Sequence, residues 1–130
     1  MRVEAYFEQV RSVLEACPAI QAFELTFDKR STSDGFIRGD IFFVDGSTLH
    51  LREFVDVATT PERLVYVYQY MDRVQRMVFR YDNTGHHRKL DLSTFPHHKH
   101  LGDADQVVAS PAPALQDVLT EIEALLQPPQ

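Results

Sequence analysis

The chain lacks paired cysteines and long apolar runs, and each absence excludes a class of protein. Cys17 is its single cysteine, so no intramolecular disulfide can form and the disulfide-stapled secreted scaffolds are excluded. No stretch of the sequence approaches the roughly 18 consecutive apolar residues that a membrane-spanning helix needs. The segment from Met1 to Glu4 includes an acid where a secretory signal carries basic and apolar residues. These absences predict a cytoplasmic protein with no membrane segment.

The common fingerprints of nucleotide and zinc sites are absent too. The sequence contains no P-loop, no glycine-rich dinucleotide-binding turn, no CxxC pair and no internal repeat. Its 130 residues and 44% hydrophobic content suit one domain spanning residues 1–130. Such a domain would bury about two thirds of the surface of the unfolded chain. Any indication of function must therefore come from less common features.

Charge is divided unevenly along the chain. The net charge is −6, yet the segment from Arg63 to His100 holds seven basic and three acidic residues, a balance of +4. The rest of the chain holds six basic and sixteen acidic residues, a balance of −10. Because Lys and Arg bind phosphates, this division suggests one surface that faces an anion while the remainder repels nonspecific contacts. The alternative is that these arginines only cover exposed strand faces.

Hydrophobic spacing predicts an α+β fold. Apolar residues within 3–17 recur every three or four positions, which indicates an amphipathic helix. Alternation with a period of two then predicts about five antiparallel strands in a meander, within residues 23–27, 36–44, 49–52, 64–70 and 76–82. Helical spacing returns over 115–126, with Ser110 as the expected N-cap and Pro111 in the first turn. The N-terminal and C-terminal helices are expected to cover one face of the sheet and to leave the other partly open.

Tyrosines are concentrated on one face of the fourth predicted strand. Tyr66, Tyr68 and Tyr70 alternate with other residues and therefore project from the same side. An exposed row of such rings could stack nucleobases, which makes Tyr68 and Tyr70 candidate substrate-binding residues. The alternative is that tyrosine simply suits a half-buried strand.

Histidine is concentrated in one segment near the end of the predicted sheet. Five of the six histidines lie there, namely His86, His87, His97, His98 and His100. Imidazole changes charge near neutral pH and is a common metal ligand, so the group concentrates acid–base, metal or anion chemistry. Regular apolar patterns fail around it, which predicts a long histidine-rich loop over residues 83–109. We expect the functional site in this loop and at the end of the strand before it.

Four strings in this part of the chain carry a family resemblance. They are Tyr68-Gln69-Tyr70-Met71-Asp72, Phe79-Arg80-Tyr81-Asp82-Asn83, His86-His87 and Thr94-Phe95-Pro96-His97-His98-Lys99-His100. In this order and spacing the chain resembles the TumE family of prokaryotic toxins, over most of its length and most densely from Tyr66 to His100. The resemblance implies a small cytoplasmic, growth-inhibiting toxin that is encoded beside a neutralising antitoxin. The family pattern commonly has a proline before the first histidine pair, where this chain has Gly85.

The first hypothesis for the histidine segment is cleavage of RNA without a metal or other cofactor. One imidazole would remove the proton of a ribose 2′ hydroxyl, and another would protonate the leaving oxygen. We expect His98 or His100 in one role and His86 or His87 in the other, because members of different pairs can converge across a loop whereas neighbours in a strand point apart. His97 stays a candidate, since the sequence does not show which histidine of a pair faces the site.

Charged and polar neighbours would complete such a site. Arg80, Arg88 or Lys99 could offset the charge that develops on the phosphate. Arg80 shares a strand face with Asp82, whose carboxylate could fix the tautomer of an imidazole. Turn formation is the alternative interpretation of Asp82 and Asn83. The expected substrate-binding residues are Tyr68, Tyr70, Tyr81, Asn83, Arg88 and Lys99.

Two further hypotheses stay open. His98 and His100 would project from the same side of an extended segment and could bind a divalent ion such as zinc or manganese, with His86 or Asp82 completing the shell. Lys99 between the two histidines disfavours a cation there. The other hypothesis is a binding module whose basic loop docks a nucleic acid or an acidic protein without chemistry. The chain could also form a homodimer.

Overall fold

The computed structural model describes residues 1–83, 96–102 and 106–126, with two helices and seven strands in those ranges. The helices are α1 (Val3–Glu15) and α2 (Leu115–Leu125). The strands are β1 (Ile20–Lys29), β2 (Asp34–Phe43), β3 (Thr48–Asp56), β4 (Glu62–Met71), β5 (Met77–Asp82), β6 (His98–Leu101) and β7 (Gln106–Ala109). They form one sheet in the order β1-β2-β3-β4-β5-β6-β7, and every neighbouring pair is antiparallel.

The prediction of an antiparallel α+β fold is confirmed, but the expected number of about five strands is wrong. β6 and β7 lie within residues 83–109, which were expected to form a loop. Each of these strands is four residues long, and β6 carries the polar run His98, Lys99 and His100. No alternation of apolar and polar residues therefore marks β6 in the sequence. Its position follows from backbone pairing with β5 and β7.

The start of the second helix also differs from the prediction. α2 begins downstream of Ser110, which is therefore not its N-cap, and Pro111 is not in its first turn. Pro113 disfavours helical geometry in the residue before it, which keeps this segment extended until the helix begins. The Ala114 backbone N–H donates a hydrogen bond to the Asp117 carboxylate at 3.0 Å, so Asp117 caps the helix from within its first turn.

Both helices pack on the same face of the sheet, as predicted. Their buried side chains join one hydrophobic cluster with the inward-facing residues of the strands. The helices contribute Val3, Phe7, Val10, Leu14, Leu115, Val118, Leu119 and Ile122, and the strands contribute, among others, Ile37, Ile41, Leu49, Leu51, Tyr66, Tyr68, Tyr70 and Phe79. The other side, which we call the open face, carries the alternate residues of the strands, among them Phe36, Arg38, Arg52, Phe54, Gln69, Arg80, Asp82, His98 and His100.

The two described helices are 13 and 11 residues long. Within the part of the chain that the structure describes, no helix has the length and apolar character that crossing a membrane requires.

Candidate active site

Four polar side chains meet on the open face where β5 and β6 pair. Arg80 is the partner of His100 in the register of the two strands, and Asp82 is the partner of His98. Because side chains alternate along a strand, these residues all project from the same face. The expectations that Arg80 and Asp82 share a face, and that His98 and His100 share a side, are confirmed by this register. We call these residues the β5–β6 cluster.

Asp82 lies at the centre of the β5–β6 cluster and is only 1% exposed. Its Oδ1 lies 2.7 Å from Nε2 of His98, and its Oδ2 lies 3.4 Å from Nε2 of His100. Arg80 donates a hydrogen bond from Nε to the same Oδ2 at 2.8 Å. A buried carboxylate is tolerated when it is paired and hydrogen-bonded. Here the pairing comes from one guanidinium and two imidazoles.

His98 is held through both of its ring nitrogens and is 2% exposed. Its Nδ1 lies 2.9 Å from the backbone carbonyl oxygen of Pro96. Since a carbonyl oxygen only accepts, Nδ1 must carry the hydrogen. The contact between Nε2 and the Asp82 carboxyl then requires one further proton, on either Nε2 or the carboxyl oxygen. His98 and Asp82 thus form a buried pair, in which His98 holds the carboxyl group in place.

His100 and Arg80 form the more accessible side of the β5–β6 cluster. The His100 side chain is 18% exposed and the Arg80 side chain 35% exposed. Arg80 also donates from Nη1 to Oε1 of Gln69 in β4 at 2.9 Å, which fixes the direction of the guanidinium. A part-exposed imidazole therefore lies beside a fixed cation. Proton transfer at a phosphate ester uses this combination of groups.

Gln69 was missed by the sequence analysis although it lies in one of the strings of the family resemblance. It is paired with Arg80 in the register of β4 and β5. The sequence could have placed it, because side chains alternate along a strand and Gln69 lies between two tyrosines of the core. Gln69 must therefore face the opposite side of the sheet.

The β5–β6 cluster also has the spacing of a metal site. Asp82, His98 and His100 each offer one ligand atom, and these atoms all lie within 4.8 Å of one another. One carboxylate and two imidazoles suit an ion such as zinc or manganese. Arg80, however, places its guanidinium on one of the carboxylate oxygens. A positive charge at that distance opposes the binding of a second cation.

His97, Lys99 and Tyr81 face the helix side of the sheet and lie apart from the β5–β6 cluster. Nδ1 of His97 lies 2.9 Å from the hydroxyl of Tyr66, and the two rings are stacked with their centroids 5.7 Å apart. Burial raises the pKa of Tyr66 to about 12. The Lys99 ammonium and the Tyr81 hydroxyl both donate to the Glu121 carboxylate of α2, at 2.7 Å and 2.6 Å. The sheet thus separates these candidates from Arg80.

Three of the expected substrate-binding residues, Tyr68, Tyr70 and Asn83, are engaged in the fold. The tyrosine row is buried in the hydrophobic core, so its interpretation as an exposed stacking surface is wrong and the packing alternative is correct. The Asn83 side chain accepts a hydrogen bond from the Tyr66 backbone N–H at 3.0 Å and donates to the Leu64 carbonyl at 3.1 Å. It continues the pairing with β4 beyond the end of β5.

A second polar network, on the helix side, was not predicted from the sequence. Glu53 of β3 is buried and accepts hydrogen bonds from the hydroxyls of Tyr68, at 2.8 Å, and Tyr6 of α1. Arg63 donates to the Tyr68 hydroxyl at 2.8 Å and to the backbone carbonyl of Pro113. Burial and the charge of Glu53 raise the pKa values of Tyr6 and Tyr68. The sequence does contain an indication of this network, because Glu53 is an acid at a position of β3 that faces the core.

His86, His87 and Arg88 lie outside the described residues. The expected roles of these residues in proton transfer and phosphate binding stay predictions.

Comparison with family models matches residues 10–126 to the family described as Toxin TumE. The match runs from within α1 to the end of α2 and includes every residue of the β5–β6 cluster. The resemblance carried by four strings of sequence is thereby confirmed over most of the chain. Neither the curated proteins nor the solved structures include a significant match to the chain.

Proposed function

The chain belongs to the TumE toxin family, and from that premise we propose that it cleaves RNA at the β5–β6 cluster. RNA carries its own nucleophile, the ribose 2′ hydroxyl, next to every phosphate. An enzyme that cleaves RNA in this way needs groups that move protons and groups that stabilise charge on the phosphate. The β5–β6 cluster offers imidazole for the first task and guanidinium for the second.

The proposed reaction is an internal phosphoryl transfer. One imidazole takes the proton of the 2′ hydroxyl, whose oxygen attacks the adjacent phosphorus. The bond from phosphorus to the 5′ oxygen of the next nucleotide breaks, and a protonated imidazole gives its proton to that oxygen. The products are a 2′,3′-cyclic phosphate and a free 5′ hydroxyl, and no oxidant, reductant or further reactant is consumed.

His100 is the residue that we assign to proton transfer, because it combines exposure with a fixed carboxylate at its Nε2. Asp82 and His98 are positioning residues, since both are almost fully buried and bind each other. Arg80 is assigned to the phosphate, whose charge it would offset through hydrogen bonds. The second proton-transfer group is predicted to be His86 or His87.

One observation carries the proposal: Arg80 and His100 both contact Oδ2 of the buried Asp82. The guanidinium and the imidazole are therefore held side by side at the accessible edge of the cluster. Neutralising a single buried carboxylate would need only one of them. The surplus of hydrogen-bonding and titratable groups around one carboxylate supports an anionic ligand at this place.

The products of the reaction provide the test. Purified protein in EDTA should cut a short single-stranded RNA to fragments that end in 2′,3′-cyclic phosphate and begin with 5′ hydroxyl. An RNA with 2′-O-methyl groups at every ribose should stay intact, because its nucleophile is blocked. Fragments with 3′ hydroxyl and 5′ phosphate ends, or the absence of any cleavage in EDTA, would contradict the proposed reaction.

A metal-dependent site is the second candidate, and the ligand spacing of Asp82, His98 and His100 favours it. It predicts that EDTA abolishes cleavage, that zinc or manganese restores it, and that elemental analysis of the purified protein finds the ion. Binding of RNA or of a protein without cleavage under either condition would instead support a toxin that acts as a binding module.

Membership in a toxin family also supports a partner protein. We include in the proposal a cognate antitoxin that neutralises the chain, and action in the cytoplasm, where RNA is available.

A further inference from the structure

Two arginines on the open face have no acidic partner among the residues that the structure describes. Arg38 of β2 and Arg52 of β3 lie directly opposite each other in the register of the two strands, and both are exposed. Within the described ranges, no acidic side chain lies within ion-pair distance of either. Three acids of this face lie nearby: Asp28 contacts Arg30, Asp40 contacts His50, and Glu24 of β1 lines a shallow pocket with the two arginines without an ion pair to either.

Like charges directly opposite each other destabilise a pair of strands. The fold therefore gives no reason for two facing arginines, whereas an anion bound between them would remove the repulsion.

Two phenylalanines flank this arginine pair. Phe36 and Phe54 are two residues from Arg38 and Arg52 along their strands, on the same face, and their rings stack at 4.6 Å with an angle of 23°. Phe36 is 38% exposed, unusual for a ring that could pack in the core. A pocket of about 320 Å³ lies over the four side chains and is also lined by Asp28, Arg30, Glu53 and Val65, among others. We call Phe36, Arg38, Arg52 and Phe54 the arginine–phenylalanine face.

The arginine–phenylalanine face is continuous with the β5–β6 cluster. In the registers of β2 to β5, Arg38 is paired with Arg52, Arg52 with Val67, and Val67 with Asp82. Since neighbouring strands lie about 4.8 Å apart, Arg52 and Asp82 are separated by about 10 Å across the sheet. A ligand that occupies both places must be extended and must carry repeated negative charges.

We infer that the arginine–phenylalanine face binds the single-stranded RNA whose cleavage the preceding section proposes. Arg38 and Arg52 bind backbone phosphates, and an unpaired base stacks on the phenylalanine pair. The base displaces the Arg30 guanidinium, which lies 5.0 Å from the centre of the Phe36 ring and is itself exposed. A duplex is disfavoured as substrate, because its bases are stacked on each other and do not offer their faces.

An acidic protein segment is the alternative occupant of a basic face. It accounts for the arginines but not for the two stacked rings beside them, of which Phe36 is exposed. Bases and phosphates alternate along RNA, and that alternation matches a face on which rings and arginines are neighbours. The inference rests on the proposed function for the site of cleavage, but binding can be measured without it.

Binding is measured by fluorescence anisotropy with a labelled single-stranded RNA that carries 2′-O-methyl groups throughout, so that cleavage cannot interfere. Phe36→Leu should weaken binding by at least about fivefold, because the ring on which the base stacks is lost. Arg52→Gln should weaken binding and lower the slope of log K against log salt by about 0.7, one phosphate contact for a single strand. Arg73→Gln is the matched control, since it removes an exposed arginine from the β4–β5 turn, and it should bind as the wild type does.

Wild-type affinity in both Phe36→Leu and Arg52→Gln would overturn the inference, even if the protein cleaves RNA. An equal loss of affinity in Arg73→Gln would also overturn it, because the effect would then follow net charge alone. If binding follows the arginine–phenylalanine face but an unmodified RNA is never cut, the inference holds and the proposed cleavage fails. Thermal unfolding of each variant checks that the fold is retained; the three side chains replaced lie outside the hydrophobic core.

Discussion

Asp82 is the residue on which the proposed site depends. Its carboxyl group contacts Arg80, His98 and His100, and it is almost completely buried. Replacing the carboxylate leaves these groups without the negative charge that they share. Removal of one partner from a buried pair is costly, because the remaining charge is then desolvated without compensation.

We expect Asp82→Asn to lower the free energy of unfolding by about 3 kcal/mol. The substitution keeps the size of the side chain, so the loss reports charge and hydrogen bonding rather than packing. Urea unfolding of the wild type and the variant at neutral pH measures the difference.

The matched control is Asp40→Asn. Asp40 contacts His50 at 3.1 Å on the same open face, but both side chains are solvent-exposed. An exposed ion pair contributes less than about 1 kcal/mol, so we expect a small change in this variant. Equal losses in the two variants would contradict the view that burial makes Asp82 the centre of the site.

The alternation of side chains along a strand was sufficient to predict some residues of the site but not all of them. Arg80 and Asp82 are two residues apart in a strand with clear alternation, so their common face follows from the sequence. The sequence does not show whether His97 or His98 faces the site, because a shift of one residue in register moves every side chain of the strand to the other face. Pairing of β6 with β5 fixes that register and turns His98 and His100 toward Asp82.

Among the elements, β6 shows why a short polar strand escapes sequence analysis. Its open-face residues, His98 and His100, contact Asp82, and its helix-side residue Lys99 is bound to Glu121 of α2. Polar contacts thus hold β6 on both faces. The periodic signal of a strand depends on apolar residues on one face, which β6 supplies only at Leu101. The hairpins from β1 to β5 have that signal and were predicted.

The network around Glu53 joins α1, β3, β4 and the segment before α2, and it predicts a loss of stability in alkali. Tyr6 and Tyr68 have raised pKa values because burial and the Glu53 charge oppose the phenolate. In the unfolded chain these tyrosines lose their protons near pH 10, whereas in the folded chain they keep them. Rising pH above about 10 therefore favours the unfolded state, and the free energy of unfolding should fall there.

Comparison with phenylalanine variants isolates this effect from other groups that titrate in alkali. The double variant of Tyr6→Phe and Tyr68→Phe lacks both hydroxyls, so its free energy of unfolding should fall less steeply than that of the wild type between about pH 9 and about pH 11. Urea unfolding at intervals across this range gives both slopes. Parallel slopes would show that the two tyrosines do not account for the alkaline loss.

At the scale of the whole molecule, the sheet divides the basic segment that the sequence analysis singled out. Arg80 lies on the open face, whereas Lys99 lies on the helix side. Arg38 and Arg52, which precede that segment, join Arg80 on the open face. Charge counted along the chain therefore favours an anionic ligand but does not locate its surface, because neighbouring residues of a strand face opposite ways.

The most direct test of the central claim is the initial rate at which purified protein cleaves single-stranded RNA in EDTA, for His100→Gln and His50→Gln. His50 is the matched control, because it also lies on the open face and contacts a carboxylate, but it is outside the β5–β6 cluster. We expect His100→Gln to lose at least about 100-fold in rate, the size of a general acid–base contribution, and His50→Gln to keep the wild-type rate. Wild-type cleavage by His100→Gln would contradict the assignment of the β5–β6 cluster as the active site.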